Sequence, residues 1–206
     1  MYKNVVFDVG GVILRINGHG SHVAGELSQI LRIPMDTSLR FYEQDRPDLI
    51  MGKKAPIEFL DKMIRELNLP VDPNKALADW MDLHSIKEEN LDWDLLALVA
   101  LLRKTYKTYI LSDTLPLDVY RRPTAVRMDS YFDGIFRSHE QHLKKPNEDA
   151  YLNLLRQTGA LPAECVFVDD HAPNVAAAEK VGMKALLFVG TEQLKAQFAE
   201  LGLLRR

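Results

Sequence analysis

Short apolar runs alternate with longer segments of helical periodicity along most of the chain. The runs are "VVF" (5–7), "TYIL" (108–111), "CVFV" (165–168) and "ALLFV" (185–189), and they are rich in β-branched and aromatic residues. Helical patterns of apolar residues lie between them, at 92–106, 147–159 and 173–182. Strands that alternate with helices of this length indicate βαβ units and a parallel sheet. The sequence therefore predicts an α/β fold.

The alternation is interrupted once, early in the chain. Residues 17–90 hold helix-like segments and no convincing strand, and prolines and glycines separate the segments. The four segments cover residues 21–32, 37–52, 56–68 and 74–85. We therefore expect two parts, a core formed by 1–16 and 91–206 and an inserted all-helical cap formed by 17–90.

Composition narrows the class of protein. The chain has 206 residues and a net charge of −3, so it offers no basic field for nucleic acid or for an anionic membrane. Its longest apolar run, residues 95–102, is too short to span a bilayer, and Asp8 interrupts the region where a signal peptide would be apolar. We expect a soluble cytoplasmic protein. The single cysteine, Cys165, lies in an apolar run and is expected in the core.

Polar residues follow three of the predicted strands. After "VVF" comes Asp8, after "TYIL" come Ser112, Asp113 and Thr114, and after "CVFV" come Asp169 and Asp170. The carboxyl ends of parallel strands share one edge of a sheet, which is where ligands bind. Carboxylates gathered there would repel one another unless a cation compensated them, and a hard ion such as Mg²⁺ with phosphate as co-ligand meets that need. The alternative is that Asp169 and Asp170 cap the helix that follows.

A basic pair adds a fourth element to this predicted site. Lys144 and Lys145 precede a proline and the start of a helix. A lysine at such a position could hold a transferring phosphoryl group and offset the charge of a nucleophilic carboxylate. Because solvent-exposed basic pairs are common, this pair indicates a site only together with the polar residues that follow the three strands.

The segments "FDVGGVI", "ILSDT", "KKPNEDAY" and "VFVDDHAPNVAAAEKVGM" carry a family resemblance. Their order and spacing resemble the four motifs of the haloacid dehalogenase (HAD)-like hydrolase superfamily. The chain is most similar to the branch that holds alpha-D-glucose-1-phosphate phosphatases and the amino-terminal phosphatase domain of soluble epoxide hydrolases. The resemblance implies a Rossmann-like core, with helices on both faces of the sheet, and a helical cap.

The resemblance also implies roles for the residues that match its motifs. Asp8 would be the nucleophile that forms an aspartyl-phosphate. Ser112 would hydrogen-bond the phosphate, and Lys145, directly before the proline, is the better match for the motif lysine. Asp113 and Thr114 would line the pocket, although Thr114 could equally cap a turn.

The same resemblance implies a Mg²⁺ site. Asp170 matches the metal ligand, and Asp169 beside it would be a second ligand or a partner of the first. Asp8 would contribute a carboxylate oxygen, and the backbone carbonyl of Gly10 could also bind the ion. Two further positions match the motifs. Gly11 would approach the bound phosphate closely, and Asn174 stands where the last motif has a polar residue.

Gly10 is also where the sequence departs from the pattern. The commonest first motif has a second aspartate there, which donates a proton to the leaving group and later takes one from water. A positioned acid or base accelerates a reaction roughly 100- to 10,000-fold. Three interpretations stay open: a slower phosphatase that favours good leaving groups such as an anomeric phosphate, a substitute such as His19 or His171, or a site that binds without turnover.

We therefore expect a Mg²⁺-dependent phosphatase of small phosphorylated metabolites, with sugar phosphates favoured. A 2-haloacid dehalogenase, whose leaving halide needs no proton, and a non-catalytic binding or regulatory protein remain alternatives. The cap should choose the substrate, and its stretch 39–52 mixes aromatic and charged residues. For that stretch we favour an amphipathic helix with Arg40 and Arg46 in solvent over one that contacts a sugar. The oligomeric state, the pathway and the exact substrate are left open.

Overall fold

A computed structural model describes residues 1–15, 20–84, 88–117 and 130–204. Within these ranges five strands form one parallel sheet: β1 (Asn4–Phe7), β2 (Lys107–Ser112), β3 (Gly134–Arg137), β4 (Cys165–Asp169) and β5 (Lys184–Leu187). The strand order across the sheet is β3-β2-β1-β4-β5, so β1 is central. The predicted α/β fold with a parallel sheet is confirmed.

Nine α-helices are present in the described ranges. They are α1 (Ser21–Leu31), α2 (Met35–Ile50), α3 (Pro56–Glu66), α4 (Pro73–Leu83), α5 (Trp93–Leu102), α6 (Ser138–Gln141), α7 (Glu148–Thr158), α8 (Ala172–Lys180) and α9 (Thr191–Glu200). Successive side chains of a strand point to opposite faces. Val5 and Phe7 of β1 therefore pack with α5 and α9, whereas Val6 packs with α7 and α8. Helices cover both faces, as expected of a Rossmann-like core.

The four predicted strands match β1, β2, β4 and β5 to within two residues at each end. β3 was not predicted. It lies at an edge of the sheet, only one of its four residues is buried, and it begins with Gly134 and ends with Arg137. A short and half-exposed strand lacks the apolar run by which the other four were recognised.

The first four helices bury a core of their own. Phe59, Leu60 and Trp80 are fully buried there, and Leu115 from the segment after β2 packs into the same cluster. All four predicted helical segments of 17–90 are helices. The limits of the predicted cap remain a prediction, because residues 16–19 and 85–87 lie outside the described ranges.

Local signals in the sequence explain where the core helices begin and end. Asp92 caps α5 by accepting a hydrogen bond from the backbone N–H of Leu95 at 2.9 Å. Asn147 caps α7 in the same way, and α7 ends at Gly159, whose φ of 68° lies in the left-handed region. The predicted start and end of α7 are therefore confirmed.

Cys165 is fully buried, and this burial raises the pKa of its thiol to about 11, so it is a core residue as predicted.

Within the described ranges, no helix combines the length and the apolar character that crossing a bilayer requires.

Candidate active site

The candidate site lies at the carboxyl edge of the sheet, where three neighbouring strands end. Phe7, the last residue of β1, pairs with Ile110 of β2 on one side and with Val168 of β4 on the other. The residues that follow these pairs therefore emerge at the same level. This register brings Asp8 beside Asp169, and it explains why three distant loops of the sequence meet.

Lys145 joins two of these carboxylates. Its Nζ lies 2.7 Å from Oδ1 of Asp8 and 2.7 Å from Oδ2 of Asp169. The lysine side chain is only 2% exposed and lies above the Phe167 ring. An ammonium group buried to this extent is stable only when carboxylates surround it. Lys145 thus contacts Asp8, the aspartate that the motifs single out.

Burial dominates the electrostatics of the site. It raises the pKa of Asp8 to about 7, with a further increase from the charge of Asp169, while Lys145 opposes both effects. For Lys145 burial favours the neutral amine, but the charges of Asp8 and Asp169 outweigh it and raise its pKa. One buried lysine therefore does not fully offset the surrounding carboxylates, and a further cation would stabilise the ionised form of Asp8.

Asp169 is fully buried and held from several sides. Its Oδ1 accepts the backbone N–H of His171 at 2.8 Å, and Nδ2 of Asn174 lies 3.0 Å from both of its carboxylate oxygens. Asn174 is itself positioned by Tyr151, whose hydroxyl donates to the Asn174 carbonyl at 2.9 Å. Asp169 is thus positioned to orient Lys145. Tyr151 is the last residue of the segment "KKPNEDAY", but no role could be predicted for it, because its contact with Asn174 joins residues 23 positions apart in the sequence.

The alternative of a helix cap can also be tested. The N-cap residue of α8 is His171, and no side chain forms a capping hydrogen bond there. Asp169 does bond the backbone of His171, but it lies two residues before that cap. Neither Asp169 nor Asp170 is therefore the N-cap of α8.

The two glycines after Asp8 differ in their surroundings. Gly11 has a φ of +77°, and a Cβ atom there would lie 2.0 Å from Oδ2 of Asp170. This position therefore requires glycine, because the backbone approaches the Asp170 carboxylate directly. Gly10 is exposed, and a Cβ atom there would have no other residue within 4 Å. The site therefore has room for a side chain at the position of the missing aspartate.

Three carboxylates at this edge could hold a metal ion. Asp8, Asp169 and Asp170 each offer an oxygen atom, and these atoms lie within 4.8 Å of one another. Oxygen ligands from several carboxylates suit a hard divalent cation, so the residues present fit Mg²⁺. Since Lys145 and Asn174 already occupy the Asp169 oxygens, the geometry favours Asp8 and Asp170 as ligands.

The loop after β2 forms the second wall of the site. Ser112 is buried at the end of β2, and Oδ1 of Asp113 accepts the backbone N–H of Lys145 at 3.1 Å. Burial raises the pKa of Asp113, although the nearby cation of Lys145 opposes this. The backbone N–H of Thr114 donates to Oγ of Ser138 at 3.0 Å, which fixes the loop. Asp113 therefore holds the lysine loop in place.

One residue of the cap helices acts on the core site. Arg46 of α2 is half-buried, and its guanidinium hydrogen-bonds the Tyr42 hydroxyl, whose pKa burial raises to about 12. Its charge also reaches Asp113 and lowers the pKa of that carboxyl against the effect of burial. Arg46 is therefore less exposed than expected, because the folded α2 turns it toward Tyr42 and the core, whereas Arg40 is exposed as expected.

Two histidines are candidate proton carriers, His171 and His19. His171 lies between Asp170 and the first turn of α8, half-buried, so it stays a candidate. His19 lies outside the described residues.

Comparison with known proteins adds independent information. The model of the haloacid dehalogenase-like hydrolase family matches residues 2–182. A D-ribitol-5-phosphate phosphatase of Bacteroides thetaiotaomicron is 24% identical over 192 residues, which covers 89% of this chain and 90% of the relative.

Solved structures share the same fold. A predicted HAD-like hydrolase of Porphyromonas gingivalis superposes with a TM-score of 0.75 at 27% identity, over 98% of each chain. A HAD family enzyme of Bacteroides thetaiotaomicron, solved in complex with magnesium and inorganic phosphate, superposes with a TM-score of 0.69 at 20% identity. That superposition covers 91% of this chain and 94% of the other.

Proposed function

Because this chain belongs to the haloacid dehalogenase-like hydrolase family, we propose that it is a Mg²⁺-dependent phosphatase of small phosphomonoesters, with sugar phosphates as the favoured substrates. The observation that carries the proposal is the buried pairing of Asp8 with Lys145 beside Asp169 and Asp170. This arrangement offers a nucleophile, a fixed cation and a set of oxygen ligands at one point.

Asp8 would act as the nucleophile. Lys145 holds its Oδ1 at 2.7 Å, which leaves Oδ2 to attack the phosphorus atom. The attack forms an aspartyl-phosphate and breaks the bond between phosphorus and the leaving oxygen, which departs with the electron pair. Water then attacks the same phosphorus and gives up a proton, which balances the proton that the leaving oxygen takes up. The bond between phosphorus and the Asp8 oxygen breaks, so that inorganic phosphate is released and the Asp8 carboxylate is restored.

The other residues would bind and orient the phosphoryl group. The Lys145 ammonium offsets its negative charge, and the Ser112 hydroxyl at the end of β2 can donate a hydrogen bond to a phosphate oxygen. Mg²⁺ held by Asp8, Asp170 and the Gly10 carbonyl would supply the remaining positive charge. The complex of a structural relative with magnesium and inorganic phosphate supports binding of these two groups, without identifying their ligands in this chain.

Proton transfer limits the range of substrates. Gly10 has no side chain that could protonate the departing oxygen, so turnover should favour leaving groups that are stable as anions. The anomeric oxygen of a sugar 1-phosphate is a better leaving group than the oxygen of a simple alkyl phosphate. The name of the relative that acts on D-ribitol-5-phosphate supports a polyol or sugar phosphate as the substrate class, although that ester is a primary alkyl phosphate and not an anomeric one.

The test is phosphate release from p-nitrophenyl phosphate and a panel of sugar phosphates, with and without Mg²⁺. We expect release that requires the metal and that Asp8→Asn abolishes. Asp133→Asn is the matched control, since Asp133 bonds Thr108 near the amino end of β2, away from the site. This control should keep the activity of the wild type.

Other outcomes would reject the proposal. Metal-independent release of halide from 2-haloacids would indicate a dehalogenase. A folded protein that binds Mg²⁺ but hydrolyses none of the esters would indicate a binding role. Release that Asp8→Asn leaves intact would exclude Asp8 as the nucleophile.

A further inference from the structure

A second cluster of metal-binding side chains lies in the helical cap, on elements that do not contribute the aspartates of the core. His22 and Glu26 are one turn apart on α1, and His84 follows the last residue of α4. Nε2 of His22 lies 2.9 Å from Oε1 of Glu26, and Nδ1 of His84 forms a hydrogen bond of 2.7 Å with Oε2, which a bound metal ion would replace. One donor atom from each residue lies within 4.8 Å of the others.

Glu26 is an unusual residue for the interior of a helical layer. It is only 5% exposed, although its neighbours Ala24 and Leu27 on α1 belong to the apolar interior. A buried carboxylate is costly unless a positive charge accompanies it. Within the described ranges its ion-pair partners are the two histidines, and an imidazole, unlike lysine or arginine, carries a charge only when protonated.

The contact between Glu26 and His22 is close without being a hydrogen bond. Among the described residues, Oε1 of Glu26 has no hydrogen-bond partner, even though His22 Nε2 is 2.9 Å away. Two atoms that bind one metal ion also lie close together without sharing a proton. Bonds of about 2.0–2.2 Å to one ion hold neighbouring ligand atoms about 3 to 3.5 Å apart, so Nε2 of His22 and Oε1 of Glu26, which lie 2.9 Å apart, would separate slightly on binding.

The surroundings of the cluster suit a metal centre. Nε1 of Trp80 donates to Oε2 of Glu26 at 3.0 Å and so fixes the orientation of the carboxylate. The His22 side chain is 43% exposed, which gives solvent and ions access from one side. Two imidazoles and one carboxylate favour zinc or a similar transition metal over Mg²⁺, which prefers oxygen ligands alone.

We propose that His22, Glu26 and His84 bind a divalent transition-metal ion of the Zn²⁺ class, at a site distinct from the aspartate site of the core. The ion would connect α1, the first helix of the cap, with the end of α4, the last one. Its binding would neutralise the buried Glu26 and stabilise the fold of these helices. Three protein ligands leave a fourth position for water or another small ligand.

The test is Zn²⁺ binding to the full chain by equilibrium dialysis, with Mg²⁺ in large excess to occupy the core site. We expect about one equivalent of bound Zn²⁺ and a rise in Tm. His22→Gln removes a direct ligand. It should therefore weaken Zn²⁺ binding by more than roughly 10- to 100-fold, which is the cost of losing a residue that only supports a ligand. His142→Gln is the matched control, because His142 is exposed and contacts the Met51 carbonyl elsewhere on the surface.

A variant of the core separates the two sites. If the ion lies in the cap, the Asp170→Asn variant should still bind Zn²⁺. The proposal would be overturned if the Asp170→Asn variant lost Zn²⁺ binding while the His22→Gln variant kept it. No Zn²⁺ binding to the wild type would also overturn it and leave the cluster as a network of ion pairs. The visible spectrum of bound Co²⁺ tests the wild type directly, because nitrogen ligands in four-coordinate geometry absorb far more strongly than six oxygens. A weak, all-oxygen spectrum would reject the proposal.

Discussion

At the scale of single residues, Gly10 is the position where the chemistry of the site can be changed with least disturbance. A side chain there would meet no other residue within 4 Å, and the position is exposed. We expect Gly10→Asp to fold normally and to supply the missing proton. The turnover of sugar phosphates with poor leaving groups should rise by roughly 100-fold or more. Steady-state kinetics on such a substrate and on p-nitrophenyl phosphate measure the effect.

The control for this prediction has the same size but transfers no proton. Gly10→Asn fills the same space, so it should leave the ratio of kcat for the poor and the good leaving group close to that of the wild type. Equal gains from both variants would show that the effect comes from packing. Equal gains on both substrates for Gly10→Asp would show that protonation of the leaving group does not limit turnover.

At the scale of helices and strands, Asp92 connects two helices of the core. Its Oδ1 caps α5, and Oδ2 accepts the hydroxyl of Thr191 at 3.1 Å and pairs with Arg15. Burial alone would raise the pKa of Asp92, but these hydrogen bonds and the arginine lower it overall. We expect Asp92→Ala to reduce the free energy of unfolding at pH 7 by about 1–2 kcal/mol.

The pH dependence of this effect follows from the sign of the shift. Because the pKa of Asp92 is lower in the folded state, its stabilisation is present above the unfolded pKa and is lost as pH falls through the folded pKa. Urea unfolding at pH 7 and at pH 3 should therefore give a smaller difference between wild type and Asp92→Ala at pH 3. Asp94→Ala, an exposed position in the same turn, is the control and should cost less. Equal losses at both pH values would contradict the prediction.

Helices and strands were predictable wherever one local signal sufficed. The start of α7 at Asn147 and its end at Gly159 could be predicted because caps are local. β3 could not, since its place is determined by pairing with β2 rather than by its own four residues. At the candidate site, the ends of β1, β2 and β4 were predictable from the strands, whereas Tyr151 and Arg46 were not, because their contacts join segments far apart in the sequence.

At the scale of the whole molecule, the cap helices and the core meet near the candidate site. Leu115 of the segment after β2 packs among the cap helices, and Nδ1 of His142 lies 2.8 Å from the Met51 carbonyl. The backbone of Gly52, at the end of α2, approaches that of His139 so closely that a Cβ atom would lie 2.6 Å from the His139 carbonyl oxygen. α2 therefore rests directly on the core beside the loop of Asp113.

Arg46 is the residue through which this contact should influence substrate binding. It belongs to α2, bonds Tyr42 and acts electrostatically on Asp113, so its positive charge stands between cap and core. We expect Arg46→Gln to raise KM for sugar phosphates about tenfold, the loss of one charged hydrogen bond, and to change kcat little. p-Nitrophenyl phosphate, whose leaving group lacks the hydroxyl groups of a sugar, should be affected less. Arg40→Gln on the same helix, exposed above the Phe41 ring, is the matched control. A fall in kcat with unchanged KM would instead assign Arg46 to the chemical step, and equal effects of the two variants would exclude a specific role for it.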